Sequence, residues 1–157
     1  MKKLKLDLKK SYPQTIKNSV GAKVWRNFYA FVDGEKRDIL KNGEFSCASF
    51  VSSVLLMFGL IKERHATVRG TLKDMIKNGW REVKKIKPGA VLIWQERKAS
   101  DKQKHPHIGF FIGEQKAVSN SHKHKSPQMH HITYGKKKDG SPKRKIEKIF
   151  WHKKLEQ

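Results

Sequence analysis

The sequence has a single cysteine, few acidic residues and no long hydrophobic run, and each shortage excludes a class of structure. The one cysteine, Cys47, excludes a disulfide within the chain and any zinc site built from several cysteines. The longest apolar stretch, FVSSVLLMFGLI at residues 50–61, contains two serines. It is also shorter than the ~20 residues that a helix needs to span a bilayer. No membrane span is therefore expected.

Acidic residues are far outnumbered by basic ones. The chain has 14 Asp and Glu against 36 Lys and Arg, which gives a formal net charge of +22. Such an excess suits an anionic partner, such as nucleic acid, an acidic cell-wall polymer or a membrane surface. A uniformly solvated basic surface is the alternative, because the lysines are spread along the whole chain. Electrostatic binding to anionic polymers is expected. Sequence-specific nucleic-acid binding is not, because no recognition-helix, RNP-like or zinc-finger pattern is present.

The length of the chain fits one domain. The 157 residues can bury an ordinary core, and we expect a single monomeric domain over residues 1–157. The N-terminal sequence MKKLKLDLKK begins like the charged part of a signal peptide, but Asp7, Lys9 and Lys10 interrupt the place of the apolar part. The chain is therefore expected to be cytoplasmic as synthesised. Any delivery to a cell wall would use non-classical export or a phage or toxin route.

Three segments carry apolar residues at helical intervals. The spacing predicts helices over residues 14–32, 46–58 and 67–80. In the second of these, Ser46 is a plausible N-cap and Gly59 a natural end.

From residue 90 onward the apolar period changes to two, which is typical of strands. Strands are predicted at 90–95, 107–113, 116–121, 129–135 and 145–152. Polar loops are predicted at 33–45, 96–106 and 136–144. Helices first and an antiparallel sheet afterwards is the α+β pattern.

Cys47 lies in the first turn of the second predicted helix. A helix N-terminus stabilises a thiolate, and its free N–H groups can hold the oxyanion of a tetrahedral intermediate. A nucleophilic cysteine also needs a base. Among eight histidines, His107 is the best candidate, because it opens a strand with apolar neighbours and Gly109 leaves room beside it. Ser119 and Asn120, on the strand after the next turn, can orient its ring.

The order of these motifs resembles a known family. A helix-start cysteine in CASFV is followed by KPGAVLIW, then by HIGFFIG, then by KAVSNS. This order is similar to that of the NlpC-like cell-wall peptidases and the related CHAP-type amidases, within the papain-like cysteine hydrolase superfamily. The resemblance covers residues 42–121. It implies a papain-like (NlpC-type) α+β fold, with helices packed on an antiparallel sheet and a catalytic core over residues 42–152 behind a basic segment and helix at 1–25.

The resemblance also implies the chemistry. Cys47 matches the nucleophile and His107 the base of a hydrolase that cleaves amide or peptide bonds, without a cofactor or metal. The family's substrates are the stem or cross-bridge peptides of peptidoglycan. Ser119 matches the residue that orients the base, which is usually His in the family. Asn120 is the preferred alternative, because an amide carbonyl orients imidazole better than a hydroxyl and strand register can be off by one.

The chain departs from the family pattern around the cysteine. The acidic residue that usually precedes the nucleophile is Ser46, the Ser-Gly after it is Ala48-Ser49, and the Asp of the Pro-Gly-Asp turn is Ala90. None of these is a reacting group, so the chemistry is retained while the substrate is left open.

Other functions stay open at this point. One is an intracellular or injected papain-like peptidase, deamidase or acyltransferase that acts on a non-wall substrate. Others are a basic nucleic-acid-binding protein and an inactive member that only binds wall peptides. The histidine pairs 105/107, 122/124 and 130/131 suggest metal ligation, but no carboxylate or further cysteine lies near them at a recognised zinc spacing.

Overall fold

The computed structural model describes residues 2–157; Met1, the first residue of the expected basic segment 1–25, lies outside the described part. The fold is α+β. The helices are α1 (Leu8–Asn18), α2 (Cys47–Met57) and α3 (Val68–Lys77), and a short 3₁₀ helix covers Lys153–Glu156. The strands are β1 (Tyr29–Val32), β2 (Glu35–Asp38), β3 (Trp80–Glu82), β4 (Val91–Lys98), β5 (Lys104–Gly113), β6 (Lys116–Ser121), β7 (Ser126–His131) and β8 (Ile146–His152). No helix within residues 2–157 is both long and apolar enough to cross a bilayer.

A six-stranded antiparallel sheet forms the body of the fold, with strand order β3-β8-β4-β5-β6-β7. Its inner strands β4 and β5 are apolar on both faces in their middle parts, since both faces are covered. Helix α2 packs against β5 and β6. The start of α2 is thereby brought to the strands predicted to carry the base and its orienting residue.

The core between the helices and the sheet is aromatic at its centre. Tyr12 of α1, Phe50 of α2 and Phe110 of β5 are at most 1% exposed. Phe110 makes edge-to-face contacts with both of the other rings, with centroids 5.9 Å and 5.5 Å away. The Tyr12 hydroxyl donates to the carbonyl of Gly89, which satisfies the polar end of a buried ring. These contacts fix α2 on the sheet at the level of its first turn.

The first helix differs from the prediction over residues 14–32. It ends at Asn18, and the chain then turns at Gly21, whose φ of +79° a side chain would strain. Of the apolar residues that suggested a longer helix, Ile16 is buried but Phe31 is 78% exposed. The helical spacing beyond Asn18 therefore did not indicate a helix. Those side chains lie on the β1–β2 hairpin and on the segment between α1 and β1, not on one buried face.

Two of the predicted loops contain strands. The expected loop 33–45 supplies β2, which pairs with β1 across a turn at Asp33 and Gly34, both at positive φ. The expected loop 96–106 is shorter, since β4 extends to Lys98 and β5 already begins at Lys104. These extensions are polar because the strand ends project beyond the core into solvent, so hydrophobic alternation does not reveal them.

Candidate active site

Cys47 opens α2, as its position in the sequence predicted. The first helical bond runs from the amide of Phe50 to the carbonyl of Ser46, so the amides of Cys47, Ala48 and Ser49 have no partner within the helix. Ser46 is the N-cap residue, but its side chain makes no capping bond and its buried hydroxyl has no partner within residues 2–157. The thiol is therefore accompanied by unpaired main-chain donors rather than by a side-chain cap.

The thiol is held in its neutral form in the resting protein. Burial raises the pKa of Cys47, and main-chain amides of Ile108 and Ala48, together with the charge of Arg144, oppose that rise without cancelling it. The amide of Ile108 belongs to the residue directly after His107. This contact puts the sulfur beside the part of β5 that carries the predicted base.

His107, Ser119 and Cys47 open into one cleft. The cleft has a volume of about 1080 Å³. It lies between the start of α2, the loop after β4, the last residues of β6 and the second half of β7. The side chains that line it around the thiol are Cys47, His107, Ser119, His130, Tyr134 and Arg144. The nucleophile, base and orienting residue expected from the sequence thus share a single solvent-accessible space.

Ser119, rather than Asn120, contacts the ring of His107. The Ser119 hydroxyl lies 2.9 Å from Nε2 of His107. The amide of Asn120 instead donates to the carbonyl of Gly43 at 2.8 Å, and its buried Oδ1 has no partner within residues 2–157. Asn120 therefore does not take the position preferred for it from the sequence; it fixes the turn that leads into Cys47.

A chain of hydrogen bonds fixes the tautomer of His107. Nδ1 of His130 lies 2.7 Å from the carbonyl of His131, which can only accept, so this nitrogen carries a proton. Burial lowers the pKa of His130, so its other nitrogen is unprotonated and accepts from the Ser119 hydroxyl at 2.7 Å. The Ser119 oxygen then accepts from Nε2 of His107, and Tyr134 donates to it at 3.0 Å.

The consequence is that His107 presents a basic nitrogen to the cleft. With its proton on Nε2, the lone pair of His107 is on Nδ1, which has no partner within residues 2–157. Burial lowers the pKa of His107 well below 6.5, and the charges of Arg144 and Arg97 act in the same direction. The resting site holds a neutral thiol and a neutral imidazole in one cleft. A proton must move from sulfur to nitrogen for Cys47 to react.

Sequence reasoning missed three side chains of this site. His130 was considered only as a member of a metal pair, and Tyr134 only as part of the strand predicted at 129–135. Tyr134 in fact stacks on His130, with ring centroids 4.0 Å apart and planes 12° apart. Arg144 lies in a segment predicted as a polar loop. Only the bonding to Ser119 reveals His130 and Tyr134, and that bonding depends on how β6 and β7 pair.

The remaining histidines are engaged elsewhere. His65 bonds Asp74, His105 bonds Asp101, His122 lies 3.9 Å from Glu44, His124 bonds Ser121, His131 bonds Thr133, and His152 bonds the carbonyl of Asn78. Within residues 2–157 no three His, Cys, Asp or Glu side chains are grouped in a way that could hold a metal ion.

Comparison with family models and with curated proteins identified no relative of this chain. No family model matches the chain, and no curated protein matches it at a significant level. The assignment of function therefore depends on the site itself.

Proposed function

We propose that this chain is a cysteine hydrolase of papain-like (NlpC-type) fold that cleaves amide bonds in peptides. The observation that carries the proposal is the bonding of His107. Its Nε2 is tied to Ser119, and its Nδ1 is left as a base in the cleft that Cys47 enters.

The mechanism begins with attack by sulfur on a substrate carbonyl. As the S–C bond forms, the thiol proton passes to Nδ1 of His107. The carbonyl oxygen becomes an oxyanion, which the unpaired amides at the start of α2, including that of Cys47, can stabilise. The same His107 nitrogen then delivers its proton to the leaving amine as the C–N bond breaks, and a thioester remains.

Water completes the cycle. His107 is neutral again after the amine leaves, so it can take a proton from water as the water attacks the thioester. The C–S bond then breaks, the acid product leaves and the proton returns to sulfur. Throughout the cycle Ser119 holds Nε2, so that the ring exchanges protons only through Nδ1.

Peptidoglycan stem or cross-bridge peptides are the proposed substrate class. The order of CASFV, KPGAVLIW, HIGFFIG and KAVSNS supports this class through its resemblance to wall peptidases, and the charge of +22 suits an acidic wall polymer. A peptide substrate inside a cell is the alternative, and the cleft itself does not distinguish between the two.

The test is hydrolysis of purified muropeptides, followed by the release of free amines and by the masses of the products. Cys47→Ala is expected to abolish cleavage while the far-UV and near-UV circular dichroism stay unchanged. Ser46→Ala is the matched control, because it changes a buried, unpartnered hydroxyl one residue away. Full activity of Cys47→Ala would overturn the proposal. Cleavage of other peptides, with no muropeptide cleavage, would move the substrate away from the wall.

A further inference from the structure

Arg144 is held over the cleft by main-chain carbonyls. Its Nε donates to the carbonyl of Gln95 at 3.0 Å, and Nη2 lies 3.5 Å from the carbonyl of His105. The pairing of β4 with β5 shifts register between Trp94 and Arg97, which frees backbone groups at this point of the ladder. The guanidinium is therefore anchored at one edge, and its remaining N–H groups are available to another partner.

The protein supplies no carboxylate to Arg144. None of the ion pairs within residues 2–157 includes it. The cleft has two carboxylates, and both are engaged elsewhere. Asp101 lies 2.7 Å from His105, and Glu44 lies 3.9 Å from His122. A partly buried guanidinium without a counterion is costly unless an anion completes the site.

The surrounding charge is also one-sided. The basic side chains that line the cleft are Lys41, Arg69, Arg97, Lys98, Lys123 and Arg144. Since its two carboxylates do not balance them, the cleft carries a net positive charge that attracts anionic ligands.

Arg144 also lies near the reacting groups. Its charge lowers the pKa of the Cys47 thiol and that of His107, although burial is the larger influence on both groups. An anion bound to Arg144 would therefore lie in the cleft that Cys47 and His107 also line.

We propose that Arg144 binds a carboxylate of the substrate next to the scissile amide, so that the preferred substrates are peptides with an α-carboxylate or an acidic side chain flanking the cleaved bond. This inference rests on the proposed function and narrows its substrate class. The planar fork of a guanidinium can hold both oxygens of a carboxylate, which a lysine ammonium cannot do with the same geometry.

The experiment compares two alkylating agents on the one cysteine. Iodoacetate carries a carboxylate beside the attacked carbon, and iodoacetamide is its neutral analogue. Because Cys47 is the only thiol, intact-mass spectrometry gives both rates directly. Replacing Arg144 by Gln is expected to lower the ratio of the iodoacetate rate to the iodoacetamide rate by about tenfold, the effect of losing a charged hydrogen bond. Arg144→Lys should fall between the two proteins.

Arg81→Gln is the matched control, because it removes the same charge from β3, outside the cleft. Its rate ratio should equal that of the wild type. If Arg144→Gln leaves the ratio unchanged, the carboxylate site is overturned and Arg144 acts only on the thiol. A measurement on the wild type does not depend on the folding of any variant: acetate should slow alkylation by iodoacetamide, while acetamide should not. Equal effects of acetate and acetamide would overturn the proposal.

The outcomes separate this inference from the proposed function. If no amide is hydrolysed but the rate ratio depends on Arg144, the hydrolase proposal fails and the carboxylate site stands. If Cys47-dependent hydrolysis is found but a peptide and its carboxamide analogue are cleaved equally well, by the wild type and by Arg144→Gln, the hydrolase stands and the carboxylate site fails.

Discussion

The hydroxyl oxygen of Ser119 lies 2.9 Å from Nε2 of His107, on the next strand of the sheet. The same oxygen lies 2.7 Å from Nε2 of His130. A serine has one proton to donate, and His130 receives it because its other nitrogen is already bonded to a carbonyl. Ser119 thus accepts from His107 and leaves Nδ1 of His107 as its unprotonated nitrogen.

Replacing Ser119 by Ala should reduce kcat by a larger factor than its loss of folding free energy would explain. The Nε2–H of His107 loses its acceptor, so the ring can adopt the tautomer in which Nδ1 is protonated and cannot act as a base. We expect kcat to fall by about 10- to 1,000-fold, less than the loss that follows removal of a buried triad acid. Steady-state hydrolysis of a muropeptide measures this effect.

Asn120→Ala is the control for Ser119→Ala, because it changes the neighbouring buried side chain of the same strand. It removes the bond to Gly43 and should lower the free energy of unfolding by about 1–3 kcal/mol. The pH dependence of kcat should keep its wild-type shape. A Ser119→Ala enzyme with unchanged kcat would contradict the role of the hydroxyl.

His130 should act as a positioning residue through Ser119. His130→Phe keeps a ring that can stack on Tyr134 but removes the acceptor for the serine proton, and we expect about a tenfold loss of kcat. His130→Gln can still accept through its amide oxygen and should retain most of the activity. If His130→Phe keeps its activity and His130→Gln loses it, His130 acts by packing alone; the pH profile of kcat gives a second readout.

Position 109 has to be glycine because its backbone lies close to the side chain of Ser119. It pairs with Ser119 across β5 and β6, and a Cβ added there would lie 2.6 Å from the serine Cβ and 2.9 Å from Trp94. Gly109→Ala should therefore cost about 1–3 kcal/mol in overpacking and displace the serine hydroxyl. Urea unfolding and kcat measure the two effects. Gly70→Ala is the control, since its added Cβ meets only side-chain atoms, at 3.0 Å or more.

The parts of the fold that sequence patterns predicted are those whose apolar residues are buried in the core. Helices α2 and α3 and the hairpin of β5 and β6 follow the apolar spacing closely, because Phe50, Val51 and Phe110 are all buried. The N-terminal region did not follow it. Val24 and Phe31 continue the helical spacing of α1 but are 70% and 78% exposed, so the spacing there reports no packing.

The candidate site could be predicted only where motif order defines neighbours. Cys47, His107 and Ser119 come from motifs in a familiar order, and the fold brings them to one cleft. His130 and Arg144 reach the cleft through strand pairing and through a loop that folds back over β4. Neither position has a local pattern, so their contribution depends on tertiary contacts that the sequence does not display.

The pH dependence of activity should follow His107. Its pKa lies well below 6.5 because it is buried, and the charges of Arg144 and Arg97 lower it further. The base must be neutral, so kcat/KM should persist below pH 6.5 and fall only as the pH drops through the folded value. Between the folded and unfolded pKa values of His107 the unfolded chain binds more protons, so the free energy of unfolding should decrease as the pH falls, by at most about 1.4 kcal/mol per pH unit for this group.

Arg144→Gln removes one of the charges that depress the pKa of His107, so the acid limb of kcat/KM should move to higher pH, whereas Arg81→Gln should not move it. An acid limb that stays in place in Arg144→Gln would mean that the charge of Arg144 does not contribute to the pKa of the base.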